Sequence, residues 1–234
     1  VSYRRARGAA RGYRRWVSAQ RKDREGGGAD AARLRLAVIV GSTRQGRTGE
    51  VIARWFAGLA SAHEAFSVRL LDLRDFPMTF YDEPVPTRSA EVAYQGEAQR
   101  RWVAEVTAAD AFAIVTPEYN HSFPAVLKNA LDHAYAGWNG KPVGFVSYGG
   151  LGGGIRAVEQ LRLVAIELQL APVRDEVNVP RAAGAFDEAG RPRDPLLERR
   201  AAGLLDQLAW WGHALRDARR ARPMPGPKAV APRS

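Results

Sequence analysis

The chain has 234 residues, an ordinary apolar share of 46%, no cysteine and a formal net charge of +10. That length suits one generous domain, and the lack of cysteine excludes disulfides, thiolate metal sites and a cysteine nucleophile. The charge is unevenly placed: residues 1–35 carry eleven Lys/Arg against three Asp/Glu and residues 211–234 six against one, which leaves the body between them slightly acidic.

Residues 1–33 have no sustained apolar face and end near the run Gly26-Gly27-Gly28, so they read as a disordered basic extension. An arginine-rich arm that touches nucleic acid or anionic lipid, with Tyr13 or Trp16 stacking, is the alternative that such a composition raises. The start carries no signal-peptide core, and no run reaches membrane-spanning length. The expectation is a soluble cytoplasmic protein.

Leu34–Val40 is a first strand, followed by the glycine-rich turn of residues 41–50 and a helix over Val51–Leu59. Phe66–Leu73 is a second strand. A long connection with Pro77, Pro84 and Pro86 follows, then a helix near Gly96–Ala108. Asp110–Ile114 is an apolar third strand that runs into a polar loop from Val115 to Pro124, and Ala125–Asp132 is a helix. Pro142–Ser147 is a fourth strand ending in Tyr148-Gly149-Gly150-Leu151-Gly152-Gly153-Gly154. A helix over Ile155–Leu170, a short strand near Pro172–Val177 and a last helix over Leu196–Arg216 complete the order, with residues 217–234 a disordered Pro/Arg-rich tail.

Strands alternating with helices call for a parallel sheet covered on both faces. No internal repeat or boundary interrupts residues 34–216, so one doubly wound domain is expected. In the five-stranded order 2-1-3-4-5, the loops after strands one, three and four share one rim and surround one crevice.

The first loop suits an anion: amides at a helix start point outward, Ser42, Thr43 and Thr48 add hydroxyls, and Arg44 and Arg47 add guanidinium forks. It is neither a Walker loop nor a Gly-x-Gly-x-x-Gly turn. The middle loop suits a flat heterocycle, with Pro117 fixing the backbone, Tyr119 able to lie on a ring and Asn120 able to give and accept hydrogen bonds. The alternative for this loop is plain packing of Tyr119, with Glu118 and Asn120 capping the helix that follows. The glycine loop with Ser147 and Tyr148 allows a backbone to approach a ligand closely. The histidines have no metal-ligand spacing, so no metal site is expected. Lys128 and Asp132, four apart on one helix, read as a structural pair.

Four stretches together resemble the NADPH-dependent FMN reductase family: Gly41-Ser42-Thr43-Arg44-Gln45-Gly46-Arg47, Thr116-Pro117-Glu118-Tyr119-Asn120, Pro124 through Asp132, and Gly140-Lys141-Pro142-Val143 leading to the Ser147–Gly154 loop. The resemblance covers residues 34–180 and implies a flavodoxin-like enzyme that uses FMN and NAD(P)H to reduce a quinone, free flavin, azo compound or metal oxyanion. It places Ser42, Arg44, Arg47 and Thr48 on the FMN phosphate, and Pro117, Glu118, Tyr119 and Asn120 beside the ring. Ser147, Tyr148, Gly149 and Gly150 fall on its other side. Where this chain has Arg47 and Gly49, many relatives carry Ser and Asn.

The resemblance also implies a homodimer or homotetramer, with the cofactor carrying the redox chemistry and no side chain acting as acid or base. Two other classes stand beside this reading. A flavodoxin-type carrier would share fold and FMN without turning over NAD(P)H, and a nucleic-acid-binding protein would use the basic ends.

Overall fold

Three central strands, each apolar through nearly its whole length, set the architecture. A computed structural model describes residues 33–89, 92, 94–222 and 224, so the basic extension and most of the tail lie outside the described residues. The sheet runs β1 (Leu34–Val40), β2 (Phe66–Asp72), β3 (Ala111–Pro117), β4 (Pro142–Tyr148) and β5 (Ala171–Val179). All pairings are parallel, in the order β2-β1-β3-β4-β5. Every residue of β3 and β4 is buried, and all of β1 except Arg35. A strand covered on both faces needs a continuous apolar run, which is what these segments carry. The outer strands β2 and β5 place Arg69, Arg174, Asp175 and Glu176 along the edges, where charge discourages pairing with another chain.

Among the described residues five α-helices fill the crossovers and the C-terminal side: α1 (Gly49–Ala62), α2 (Glu97–Ala108), α3 (Ala125–Asp132), α4 (Ile155–Glu167) and α5 (Leu196–Ala221). One sheet face presents Ile39, Phe112, Ile114 and Phe145 to Trp102 of α2, Leu127 and Leu131 of α3, and Val158 and Leu161 of α4. Burial of each large apolar side chain contributes roughly 1.5–3 kcal/mol. The opposite face receives α1 and α5, and Gly144 of β4 leaves room there for Leu204 and Leu208 of α5.

The sequence reading and the structure part at several ends. β3 extends through Val115, Thr116 and Pro117, residues read as loop, because their backbone continues in register with Val146, Ser147 and Tyr148 of β4. α4 stops at Glu167, three residues early, and Gln169 takes a left-handed backbone that turns the chain toward β5. α5 runs to Ala221 rather than Arg216, into the segment read as tail. Arg219 explains the extra turn: its guanidinium donates to Gly140 O at 2.5 Å and meets Asp110 Oδ1 at 3.3 Å, fastening the helix end to the sheet.

The long connection after β2 is held in place by α3. Asn129 donates to Thr79 O at 2.8 Å and accepts from Tyr81 N at 2.9 Å. His133, fully buried, stands with Nε2 3.0 Å from Thr79 O and Nδ1 3.4 Å from Gln99 Nε2. Nε2 therefore donates and Nδ1 accepts. Lys128 and Asp132 form the expected pair on the outer side of the same helix, at 2.7 Å.

Candidate functional site

The C-terminal ends of β1, β3 and β4 bring the three polar loops to one rim. They are tied together rather than merely adjacent. Gly41 N donates to Val115 O at 2.8 Å, and Glu118 N donates to Tyr148 O at 3.1 Å. The Ser42 and Tyr119 hydroxyls lie 2.9 Å apart, joining the first and second loops through side chains. A fourth tie comes from Glu118, whose carboxylate accepts from Arg156 N at 3.2 Å and pairs with the Arg156 guanidinium. Arg156 stands in the first turn of α4, so this carboxylate sits at a helix N-terminus, where the dipole favours negative charge.

The first loop leads into the start of a helix. α1 begins at Gly49 with Thr48 before it, and the Thr48 hydroxyl makes no cap to its own helix. Arg44 is exposed on the rim, whereas Ser42 is buried. Arg47 departs from the expectation of a phosphate fork. Its side chain is 2% exposed and grips Asp72 at the end of β2, with NH1 2.9 Å from Oδ1 and NH2 on Oδ2. NH1 also reaches Ser42 O. The guanidinium thus holds the loop from behind, and Arg44 faces solvent at the site.

The middle loop turns on two left-handed residues, Asn120 (φ 50°) and His121 (φ 67°), between Tyr119 and Ser122, which exchange backbone hydrogen bonds at 2.7 and 3.0 Å. Positive φ at both central positions is the geometry of a tight mirror-image turn, and Asn is among the residues that tolerate it. Asn120 is exposed and Tyr119 half-buried. Neither Glu118 nor Asn120 caps α3, which starts at Ala125 after Pro124. Glu118 belongs instead to α4. His121 takes the Arg156 NH1 on its Nε2 at 2.8 Å, and its carbonyl accepts from Gln160 at 2.7 Å.

In the third loop, Ser147 does not face the rim. Fully buried, its hydroxyl donates to Gly153 O at 2.8 Å and accepts from Asn178 at 3.0 Å. Gly154, at φ 91°, lies so close that a β-carbon on it would stand 2.7 Å from that of Ser147. Tyr148 is buried with its hydroxyl toward Ser42 and the backbone of Gly49, and burial, reinforced by Tyr119, raises its phenol pKa well above the usual range. Gly149 and Gly150 remain at the rim, each receiving an amide from the segment after β5: Ala182 N on Gly149 O and Arg181 N on Gly150 O.

Sequence reasoning missed Asp72, Arg74, Arg156 and Asn178, the partners that hold the loops. Arg74 donates through Nε to Thr43 O at 3.2 Å and through NH2 to Arg44 O. Among the described residues no group of His, Asp and Glu could hold a metal. A shallow cavity of about 260 Å³ lies at the opposite edge of the sheet, lined by Asp110, Lys141 and Arg219 among others. Its polar groups serve the fold, since Lys141 Nζ donates to Val106 O and Thr107 O, both at 2.9 Å, at the C-terminus of α2. The chemistry of the rim, with hydroxyls and an exposed arginine at a helix start beside Tyr119 and the glycine loop, fits a flavin mononucleotide.

Residues 34–184 match the family described as NADPH-dependent FMN reductase. An NAD(P)H-dependent FMN reductase of Schizosaccharomyces pombe is 41% identical over 150 residues, spanning 63% of this chain and 74% of that protein. A quinone reductase of Pseudomonas putida is 31% identical over 186 residues, 75% of this chain and 93% of that one. Among solved structures, the flavoenzyme NAD(P)H:acceptor oxidoreductase FerB of Paracoccus denitrificans superposes with a TM-score of 0.63 at 24% identity, covering 77% of this chain and 98% of that one, a likeness of fold.

Proposed function

Since the chain belongs to the NADPH-dependent FMN reductase family and is an FMN-dependent NAD(P)H oxidoreductase, we propose that the three-loop rim is its flavin site and that a quinone takes the electrons. The observation that carries the placement is the set of hydroxyls and the exposed Arg44 at the start of α1, closed against the Tyr119 and Tyr148 loops by the Ser42 hydroxyl. FMN, when bound, would supply the two-electron redox chemistry between NAD(P)H and the acceptor.

The residues do the rest. Amides of the first loop, the Thr48 hydroxyl and the Arg44 guanidinium hold the phosphate. The loop from Pro117 to Asn120 borders the ring on one side, with Tyr119 as its wall, while Gly149 and Gly150 let backbone approach from the other. Glu118, tied to α4, holds no proton in transit, and no side chain acts as acid or base. A quinone suits this geometry because it is flat and meets an exposed ring face with few specific contacts; the Pseudomonas quinone reductase supports that class.

The test is direct. The purified protein should be yellow or bind added FMN, and should oxidise NADPH when menadione is supplied. A colourless protein that neither binds FMN nor consumes NADPH overturns the reading.

A second copy of the chain is the proposed partner, and the protein is proposed to act in the cytoplasm. On the outward side of α4, Leu163 and Ile166 are 74% and 64% exposed, and Leu151 just before it 80%. Apolar exposure of that density is usual where copies associate. Light scattering should give a dimer or larger for the native chain and a monomer for Leu163→Glu; an unchanged mass would place the interface elsewhere. Among the described residues no helix is long and apolar enough to cross a membrane.

A further inference from the structure

Three successive carbonyls of the first loop point at arginines. Ser42 O receives Arg47 NH1, Thr43 O receives Arg74 Nε at 3.2 Å, and Arg44 O receives Arg74 NH2. In a trans peptide the carbonyl and the N–H of the same unit point in opposite directions, and no cis peptide occurs among the described residues. The N–H groups of Thr43, Arg44 and Gln45 are therefore turned away from both guanidiniums. One contact marks where they face: Arg44 N lies 3.4 Å from Ser42 Oγ, the same oxygen that meets the Tyr119 hydroxyl at 2.9 Å. Arg44 N thus faces the Ser42 and Tyr119 hydroxyls, on the side of the loop toward the middle loop. Consecutive N–H groups on one concave side make an anion nest.

Resting on the flavin reading above, we propose that Arg74 is a positioning residue for the cofactor phosphate: it orients the loop amides by holding the Thr43 and Arg44 carbonyls and does not itself touch the phosphate. Its own placement is fixed from Asp72, whose Oδ1 accepts from Arg74 N at 2.9 Å and from Arg47 NH1 at 2.9 Å. One carboxylate at the end of β2 therefore sets both arginines. A planar fork reaching two adjacent carbonyls is a guanidinium task, and removal of either donor frees a peptide plane to rotate. Arg44 differs in kind, because its carbonyl, not its side chain, is what Arg74 holds.

The experiment compares FMN with riboflavin, which lacks the phosphate, on flavin-free native protein and Arg74→Ala, by quenching of flavin fluorescence. The expected result is a loss of about tenfold or more in FMN affinity with riboflavin affinity within about twofold. In the same flavin-free samples, the amide order parameters of Thr43 to Gly46 should fall from about 0.85 in the native chain to below about 0.6 in the variant. Equal loss for both flavins, or no loss for either, overturns the positioning role. Weaker FMN binding with unchanged order parameters also overturns it, since Arg74 would then act on the phosphate directly. A native protein that does not prefer FMN over riboflavin overturns the flavin reading itself, and the inference with it.

Discussion

The Tyr148 hydroxyl lies against Gly49, so close that a β-carbon on Gly49 would stand 2.3 Å from it. The last residue of β4 and the first of α1 therefore share one point in space, and the third loop is locked to the first. Here a phenol from β4 fills the space that a side chain at position 49 would need.

A Gly49→Ala substitution should push Tyr148 from its seat. We expect a loss of about 1–3 kcal/mol of stability, as for overpacking of a filled site, together with weaker FMN binding. Adding Tyr148→Phe removes the hydroxyl and should restore part of the loss. Urea unfolding of the single and double variants measures this, and purely additive effects would sever the proposed coupling.

Asp72→Ala leaves the buried Arg47 with Glu50, 3.8 Å away, as its remaining carboxylate. The Arg47 and Asp72 side chains are 2% and 8% exposed, and removing one partner of such a pair costs about 3–5 kcal/mol. The midpoint of chemical denaturation should drop accordingly. Arg44→Ala should leave the midpoint nearly untouched and weaken FMN alone. If Arg47→Ala behaved like Arg44→Ala, with full stability and selective loss of FMN, Arg47 would be a phosphate ligand after all.

Glu118→Gln separates tethering from proton transfer. The amide keeps an acceptor for Arg156 N but loses the charge that pairs with the guanidinium. NADPH oxidation at saturating FMN should stay within a few-fold, and its pH profile should keep its shape. A fall of the order of 10²–10⁴ with loss of one pH limb is the signature of general acid–base catalysis and would return Glu118 to the chemistry.

Lys141 makes the stability depend on pH. Burial, assisted by Arg219 and opposed in part by Asp110, lowers its pKa from 10.5 to about 7. A neutral amine has two N–H groups, which match its two carbonyl acceptors Val106 O and Thr107 O. Above about pH 7 the unfolded chain then binds a proton that the folded chain does not, so this residue adds stability as pH rises toward 10.5. The native chain should gain on Lys141→Met across that window in parallel denaturation series. A flat difference would mean that Lys141 stays charged.

Much of the fold was legible because the signals are local. The apolar runs of β1, β3 and β4 and the helical spacing of Ala125–Asp132 need no distant partner to be read. Placing three loops on one rim followed from parallel topology alone. What escaped is pairwise and remote: Arg47 finds Asp72 across 25 positions, and Glu118 finds Arg156 across 38. An arginine in a glycine loop looks the same in sequence whether it faces a ligand or the protein. Ser147 failed for a related reason, since its acceptor is the carbonyl of a glycine that only a left-handed turn brings back to it. The end of α5 was misjudged because Arg219 is anchored by Gly140 and Asp110, residues far earlier in the chain.

The parallel sheet gives the molecule two unlike rims. At the C-terminal ends of the strands lie the loops of the proposed flavin site, with exposed Arg44, Asn120 and Gly150 at their tips. At the N-terminal ends, Lys141 and the Arg219–Asp110 pair bolt helix ends to the sheet. Mutational drift on the first rim can re-tune which acceptor is reduced while the second rim keeps its anchoring contacts. Divergence of electron acceptors among proteins of this architecture then needs no compensating change in the scaffold.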